Sequence, residues 1–212
     1  NLELFKRQLR AILRVSTLGD VRIMFPLITT VLELRQAKAV LRDSMEDLEE
    51  QGISFRRDIP VGMMIETPAA AEACQTFASE ADFFSIGTND LVQYMLAVDR
   101  GNERVASLYS PANPAVIRKV RDIIRVADRL KTPVSLCGEI AGDPMFTLLL
   151  LGLGLRSFSM APADVPEIKK MIRSATIRHA RWVARKALTF ESDRQVVNYL
   201  RDETRKLLPE VV

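Results

Sequence analysis

Short apolar runs alternate with helical patterns along this chain, and each run is followed by polar residues. The apolar runs are four to seven residues long and cover 21–27, 61–66, 82–86, 134–137 and 157–160. Apolar residues recur at helical spacing over 4–15, 31–50, 68–78, 115–130, 165–173, 176–188 and 192–208. Continuous apolar strands separated by helices are typical of a parallel sheet covered by helices. The pattern therefore predicts an α/β fold.

Two arrangements of such a sheet fit the pattern, a doubly wound sheet and a TIM-type (βα)8 barrel. The close succession of short strands, each ending in a polar cluster, favours the barrel, whose functional residues collect at the carboxyl ends of the strands. A complete barrel has eight strands in ~250 residues, whereas the 212 residues here contain five predicted strands and start at Asn1 inside a helical pattern. We therefore expect residues 1–212 to be a single partial barrel domain, about the last five strands, that lacks its N-terminal βα units.

Composition narrows the setting and the partners. The net charge of +3 is too small to indicate nucleic-acid binding. The one basic cluster, 178–186, has the spacing of a solvated helix face, and the sole histidine within it, His179, is not expected to be catalytic. No apolar run approaches the ~20 residues that cross a bilayer, so we expect no membrane insertion. Two cysteines, Cys74 and Cys137, do not suggest a disulfide framework and favour a cytoplasmic location.

Carboxylates follow two of the predicted strands. Glu66 ends the run 61–66, and Asp90 follows the run 82–86 by a four-residue turn. Two carboxylates at the carboxyl-end edge of the barrel, called the rim below, make an oxygen site suited to Mg²⁺. This ion takes one or two protein carboxylates and completes its shell with water and phosphate. The alternative is that both side chains cap the helices that follow. Beside them, Asn89 could donate to a substrate carboxylate or phosphate, unless Gly87 and Asn89 form only a plain turn.

An arginine and a cysteine further along the chain are also candidate site residues. Arg100 could bind phosphate through two parallel hydrogen bonds, or it could form a surface ion pair with Asp99. Cys137 ends a strand, and a thiol at a barrel rim can act as a general acid or nucleophile, with Glu139 orienting it or shifting its pKa. The alternative for Cys137 is a small buried apolar residue, and this is the interpretation adopted for Cys74.

Six segments occur in a fixed order along the chain. They read LRAILR, RIMFPLI, IETPAA, DFFSIGTNDLVQYMLAVDRGN, LYSPANPAV and CGEIAGD. Together they closely resemble the C-terminal, phosphoenolpyruvate-binding domain of Enzyme I of the bacterial phosphotransferase system, and the resemblance covers essentially the whole chain. DFFSIGTNDLVQY and AVDRGN are specific to Enzyme I and its nitrogen-related paralogue. Pyruvate phosphate dikinase and phosphoenolpyruvate synthase share mainly the ETP and CGE pieces.

The resemblance implies a fold, an activity and a role for each rim residue. The domain is a (βα)8 barrel in a transferase that forms a homodimer and serves sugar transport. By resemblance, Glu66 and Asp90 bind Mg²⁺. Asn89, Asp90 and Arg100 bind substrate, and Cys137 protonates the enolate carbon as pyruvate forms. The whole enzyme moves a phosphoryl group from phosphoenolpyruvate to a histidine of its own N-terminal domain and on to a histidine-containing phosphocarrier protein.

Some parts of the Enzyme I pattern are missing from this sequence. The phosphate-binding arginines of YRTE-type, RTxDxGGDK-type and GWR-type segments are not present, and His179 does not match the phosphorylated histidine of the family. We therefore expect a piece of a longer enzyme that is inactive alone. Two alternatives stay open, the C-terminal domain of a dikinase or synthase, and a catalytically idle dimerisation module. The chain does not distinguish the sugar branch from the nitrogen-related branch.

Overall fold

Four parallel strands form one sheet whose spatial order follows the chain. In the computed structural model, which describes residues 1–209, they are β1 (Ile23–Phe25), β2 (Val61–Ile65), β3 (Phe84–Gly87) and β4 (Val134–Cys137). Each strand pairs in parallel with the next one. Parallel neighbours need long crossover connections, and helices supply them here. The predicted α/β class, with a parallel sheet arranged as a partial barrel, is confirmed.

The predicted fifth strand is a single bridge. Phe158 pairs in parallel with Leu136 of β4. The bridge is made by Leu136 N donating to the carbonyl of Ser157 at 3.1 Å and by Ser159 N donating to the carbonyl of Leu136 at 2.9 Å. The ladder does not continue beyond this bridge, and β4 is followed by Gly138, which has a φ of 102°. The chain nevertheless returns to the sheet where the fifth strand was predicted.

The first strand is shorter than the apolar run 21–27 that predicted it. Pro26 follows β1 and has no N–H to donate to a neighbouring strand. Leu27 has a φ of 53°, in the left-handed region. Its N–H donates to Oε1 of Glu66 at 2.6 Å. The end of β1 is therefore used to hold a side chain of the rim.

Helices fill the connections and the C-terminal third of the chain. They are α1 (Leu2–Val15), α2 (Val31–Glu50), α3 (Pro68–Glu72), α4 (Cys74–Phe77), α5 (Thr88–Leu96), α6 (Pro114–Leu130), α7 (Glu139–Gly142), α8 (Pro144–Leu153), α9 (Val165–Ser174), α10 (Ile177–Ala187) and α11 (Asp193–Leu207), with a 3-10 turn at Ala106–Leu108. Thr30 caps α2 in a capping box with Glu33. The one helix predicted over 68–78 is instead two, because Ala73 has a ψ of 11°. Helices α5, α7 and α8 lie outside the seven helical patterns described above.

Side chains alternate across the strands and give the sheet two faces. The register places five of them on one face, called the inner face below: Met24, Met64, Ser85, Ser135 and Cys137. The opposite face packs into the main apolar core with residues of the surrounding helices. Six of its side chains are 0–4% exposed: Phe25, Met63, Ile65, Phe84, Ile86 and Leu136. The inner face carries two serines and Cys137, and it leads to the rim.

The C-terminal helices pack against one another beside the sheet. A Cβ on Gly152 of α8 would collide with the carbonyl of Ala180 and lie 2.7 Å from Cβ of Ala184, so the glycine allows α8 and α10 to cross closely. His179 Nε2 lies 2.8 Å from Oε2 of Glu203, which joins α10 to α11. Among the described helices, none has the length and apolar character needed to cross a membrane.

Candidate active site at the carboxyl ends of the strands

Two carboxylates meet where β2 and β3 end. Glu66 directly follows β2 and is 2% exposed, and Asp90 lies in the first turn of α5, directly after β3. Burial raises the pKa of Glu66, the Leu27 N–H lowers it, and the charge of Asp90 and a hydrogen bond between the two side chains raise it further. Glu66 and Asp90 therefore share one site in which two negative charges oppose each other.

Neither Glu66 nor Asp90 caps a helix, which was the alternative interpretation of these two carboxylates. The hydroxyl of Thr67, not the carboxylate of Glu66, accepts from Ala70 N at the start of α3. The start of α5 has no hydrogen bond from a capping side chain. The capping interpretation of Glu66 and Asp90 is therefore wrong, and the pair needs another explanation.

The absence of a side chain at Gly87 leaves room for the carboxylate of Glu66. A Cβ at Gly87 would lie 2.6 Å from Oε2 of Glu66 and 2.7 Å from Cε of Met64. Real Cβ atoms do not approach other atoms so closely, so a larger residue would push the carboxylate aside. The glycine in the predicted turn is therefore required by close packing of Glu66 over β3.

The pair of carboxylates suits a magnesium ion in its chemistry. Within residues 1–209 no group of three or more His, Cys, Asp or Glu side chains gathers to hold a metal. Mg²⁺ does not need such a group, because it keeps several waters and phosphate oxygens around one or two carboxylates. A cation would also relieve the repulsion that raises the pKa of the buried Glu66 beside Asp90. The side chains present fit the ion that the sequence predicted.

Asn89 is held by the loop that follows β4. Its Oδ1 accepts from the main-chain N–H of Glu139 at 3.1 Å. Thr88, next to it, donates its hydroxyl to the carbonyl of Cys137 at 2.8 Å. A Cβ on Gly138 would collide with the hydroxyl of Thr88, so the glycine lets the two strand ends approach. The amide oxygen of Asn89 is thus used by the protein, and its NH2 group is the part able to donate to a ligand.

Arg100 reaches the same rim and does not pair with Asp99. Its Nη1 lies 3.8 Å from Oε1 of Glu139, while Oδ1 of Asp99 accepts from Gly101 N at 2.8 Å. The side chain of Glu139 is 74% exposed and is directed to Arg100. The hydrogen bonds of the Cys137 thiol are made with Ser85 and with the carbonyl of Ile86, and none of those described is made with Glu139. Glu139 instead holds the guanidinium beside the site.

The two cysteines lie in different surroundings. Cys137 is half-buried on the inner face, where its Sγ accepts from the hydroxyl of Ser85 at 3.5 Å and donates to the carbonyl of Ile86 at 3.6 Å. Cys74 is 1% exposed in the core, and burial raises its pKa to about 11. An open cleft of about 400 Å³ adjoins Cys137, Asn89 and Glu139. Only Cys137 is therefore placed to meet a ligand.

Tyr109 belongs to this site and was missed by the sequence analysis. Its hydroxyl donates to the main-chain carbonyl of Asn89 at 3.3 Å. Burial raises the pKa of Tyr109, as do the charges of Glu139 and Asp90, whereas the charge of Arg100 and a hydrogen bond with it lower that pKa. The tyrosine lies in the segment LYSPANPAV, which the resemblance singled out without giving any residue in it a role. The motif was the available signal.

A family profile matches most of this chain. The sequence profile of the family described as "PEP-utilising enzyme, PEP-binding domain" matches residues 1–177. The chain therefore belongs to the family of phosphoenolpyruvate-utilising enzymes, and the resemblance predicted from the sequence is confirmed.

Curated relatives carry one particular name within that family. The protein named phosphoenolpyruvate-protein phosphotransferase from Buchnera aphidicola subsp. Acyrthosiphon pisum (strain APS) is 44% identical over 92% of this chain and 34% of its own length. The one from Bacillus subtilis (strain 168) is 44% identical over 94% of this chain and 35% of its own length. The one from Priestia megaterium is 50% identical over 81% and 30%. The chain thus spans about a third of the curated relatives it matches.

A solved structure shares the fold. A citrate lyase from Burkholderia xenovorans LB400 superposes with a TM-score of 0.58 over 95% of this chain and 69% of its own, at 19% sequence identity. At that identity the likeness concerns the fold alone. It supports the arrangement of the strands as part of a barrel.

Proposed function

We propose that this chain carries the phosphoenolpyruvate site of a phosphoenolpyruvate–protein phosphotransferase of the Enzyme I type. The observation that carries the proposal is the convergence of the carboxylate pair, Asn89, Arg100 and Cys137 at one edge of the sheet. The relatives named above are called phosphotransferases rather than dikinases or synthases, which favours this member of the family. The longer enzyme would pass the phosphoryl group to a histidine of its N-terminal domain and then to a histidine-containing phosphocarrier protein, and would release pyruvate.

Glu66 and Asp90 are the residues proposed to hold Mg²⁺. When bound there, the ion would offset the negative charge of the phosphoryl group that is transferred. The chain contributes two adjacent carboxylates, of which Glu66 is fixed by the Leu27 N–H. That hydrogen bond orients one carboxylate before any ligand arrives, so less ordering is left for the binding step.

Asn89 and Arg100 are proposed to orient the substrate. The NH2 of Asn89 can donate to a carboxylate or phosphate oxygen, because Glu139 N already occupies its amide oxygen. Arg100 can exchange Glu139 for the phosphate, to which a guanidinium offers two parallel hydrogen bonds. Since Glu139 is exposed to water, releasing it costs little. Asp90, beside Asn89, also borders the substrate in this arrangement.

Cys137 is proposed to complete the chemistry on carbon. When the bond between phosphorus and the enol oxygen breaks, the phosphoryl group leaves for the histidine and the enolate of pyruvate remains. The thiol then gives its proton to the methylene carbon: the S–H bond breaks, a C–H bond forms, and the thiolate regains a proton from water. His179 is not proposed as the histidine that accepts the phosphoryl group. Its ring is hydrogen-bonded to Glu203 where α10 packs against α11.

Assembly and location are further parts of the proposal. We propose a cytoplasmic homodimer that serves sugar uptake or the nitrogen-related branch, with residues 1–212 as one barrel domain whose upstream βα units come from the longer enzyme. In the chain by itself, Met24, Leu27 and Leu32 beside β1 are exposed, and such an apolar edge invites pairing. Light scattering with and without Mg²⁺ and phosphoenolpyruvate would distinguish ligand-linked association from an idle module that dimerises constitutively.

Phosphorus NMR of phosphoenolpyruvate tests the site at weak affinity. Titrating the chain should broaden the phosphate signal when Mg²⁺ is present and not when it is chelated. Glu66→Gln and Asp90→Asn should abolish the broadening. The control is Glu72→Gln, an exposed carboxylate that pairs with Lys119 outside the site. Broadening that does not depend on Mg²⁺, or that survives both site variants, would contradict the proposed site.

A further inference from the structure

The thiol of Cys137 is held by a second inner-face residue, Ser85. The Ser85 hydroxyl donates to Sγ of Cys137 at 3.5 Å, and the thiol donates to the carbonyl of Ile86 at 3.6 Å. Ser85 is 4% exposed and lies one layer below Cys137, because the register pairs Ser85 with Ser135 and Gly87 with Cys137. A buried hydroxyl below the rim thus faces the sulfur of the proposed acid.

We propose that Ser85 is a positioning residue that stabilises the thiolate form of Cys137. The inference rests on the proposed function, in which Cys137 loses its proton to carbon. Before that step, the thiol donates to the carbonyl of Ile86 and accepts from Ser85. After it, the sulfur is negative and has no proton to donate, and the Ser85 O–H is a donor already directed at it. Hydrogen bonds to charged acceptors are stronger than those to neutral ones, so Ser85 favours proton release.

The other polar groups nearby do not take this role. The hydroxyl of Ser135 lies 3.3 Å from the main-chain carbonyl of Phe84. Thr88 donates to the carbonyl of Cys137 and not to its sulfur. Gly87, directly opposite Cys137 in the register, has no side chain. Among the described residues, Ser85 is the one whose side-chain hydroxyl contacts Sγ.

The pH dependence of thiol alkylation measures this contact directly. Iodoacetamide attacks the thiolate, so the rate at Cys137 follows the thiolate fraction, and mass spectrometry of the peptides separates it from Cys74. Removing a hydrogen bond to a charged acceptor should move the midpoint of the rate curve up by about one pH unit. Ser85→Ala should show this shift. Ser135→Ala removes a hydroxyl from the same layer and should leave the midpoint in place.

A second pair of variants keeps the test decisive if Ser85→Ala does not fold. Threonine and valine have nearly the same shape, and Ser85→Thr keeps a hydroxyl where Ser85→Val has a methyl group. Ser85→Thr should retain the wild-type midpoint and Ser85→Val should raise it. Equal midpoints in this pair, or an equal shift in Ser135→Ala, would overturn the proposal. Alkylation needs no phosphoenolpyruvate, so its result is independent of the NMR titration. The titration can fail to show binding while the alkylation midpoints support the role of Ser85, and binding can be seen while those midpoints contradict it.

Discussion

The main-chain N–H of Leu27 donates to Oε1 of Glu66 at 2.6 Å, so the turn after one strand fixes a carboxylate at the end of the next. That carboxylate is buried and lies against Asp90. A like charge and burial both disfavour the ionised form. The arrangement therefore keeps a destabilising pair of charges in place, as expected for a site that serves ligand binding and not stability.

Glu66→Gln should stabilise the metal-free protein. Burial and Asp90 hold the pKa of Glu66 above its ordinary value, so the ionised side chain weakens the fold as the pH rises through that pKa. The glutamine is neutral and still accepts from Leu27 N. Urea unfolding at pH 7 without Mg²⁺ should show a gain of about 1 kcal/mol. The gain should shrink in acid, where Glu66 is protonated, and a loss of stability at pH 7 would contradict the charge argument.

Gly87→Ala should damage both the fold and the site. The new Cβ would lie 2.6 Å from Oε2 of Glu66, and relieving such a contact in a packed region typically costs about 1–3 kcal/mol. Because Glu66 would move, the Mg²⁺-dependent NMR broadening should also be lost. Gly19→Ala is the matched control, since nothing lies within 4 Å of its added Cβ. If both variants unfold at the same urea concentration, the result would contradict the close packing of Glu66 against Gly87.

Tyr109→Phe should weaken the rim without disturbing the core. It removes the hydroxyl that donates to the carbonyl of Asn89 and contacts Arg100. The free energy of unfolding should fall by about 1 kcal/mol. The phosphorus NMR signal of phosphoenolpyruvate should also broaden less, because Asn89 and Arg100 are held less firmly. Tyr94→Phe alters an exposed tyrosine on α5 and serves as the control. Equal effects of the two variants would mean that Tyr109 has no part in the site.

Local signals predicted much of the fold and of the site. Short apolar runs predicted the four paired strands, and the carboxylates were found because parallel strands bring their carboxyl ends to one edge. The position of Cys137 at the rim was predicted by the same rule. Such features depend on short segments and on chain direction, which the sequence alone determines.

Contacts between distant segments were out of reach. Tyr109 meets Asn89 twenty residues away, and the partner of Arg100 is Glu139 on the loop after β4, not the adjacent Asp99. The predicted fifth strand is a single bridge between Phe158 and Leu136. Each of these depends on how loops pack in three dimensions, for which the spacing of residues carries no signal.

Glu203→Gln should destabilise the C-terminal helices at neutral pH. Burial raises the pKa of Glu203, but hydrogen bonds from Lys206 and His179 outweigh it, so the pKa is lower than usual. The ionised carboxylate therefore stabilises the fold at pH 7, and this contribution is lost as the pH falls through its pKa. Urea unfolding at pH 7 should show a loss of about 2 kcal/mol. The loss should narrow near pH 3, and the exposed Glu191→Gln should show none at either pH.

This chain alone should bind phosphoenolpyruvate weakly and should not turn it over. The family resemblance implies phosphate-binding arginines in segments that this sequence lacks. Within residues 1–209, Arg100 is the arginine placed at the rim by contacts with Glu139 and Tyr109. Each charge-assisted hydrogen bond to phosphate contributes about 1.5–3 kcal/mol. Two missing arginines would therefore weaken binding by roughly a hundredfold or more, at about 1.4 kcal/mol per tenfold.

The carboxylates cannot replace those arginines, because Glu66 and Asp90 would hold the metal and not the phosphate. No acceptor histidine lies at the rim within the described residues, since His179 is bound to Glu203. Calorimetric titration with Mg²⁺ and phosphoenolpyruvate should give millimolar or weaker affinity, and a coupled pyruvate assay should stay at the uncatalysed rate. Micromolar binding or release of pyruvate would show that Arg100 and the carboxylate pair suffice for the site.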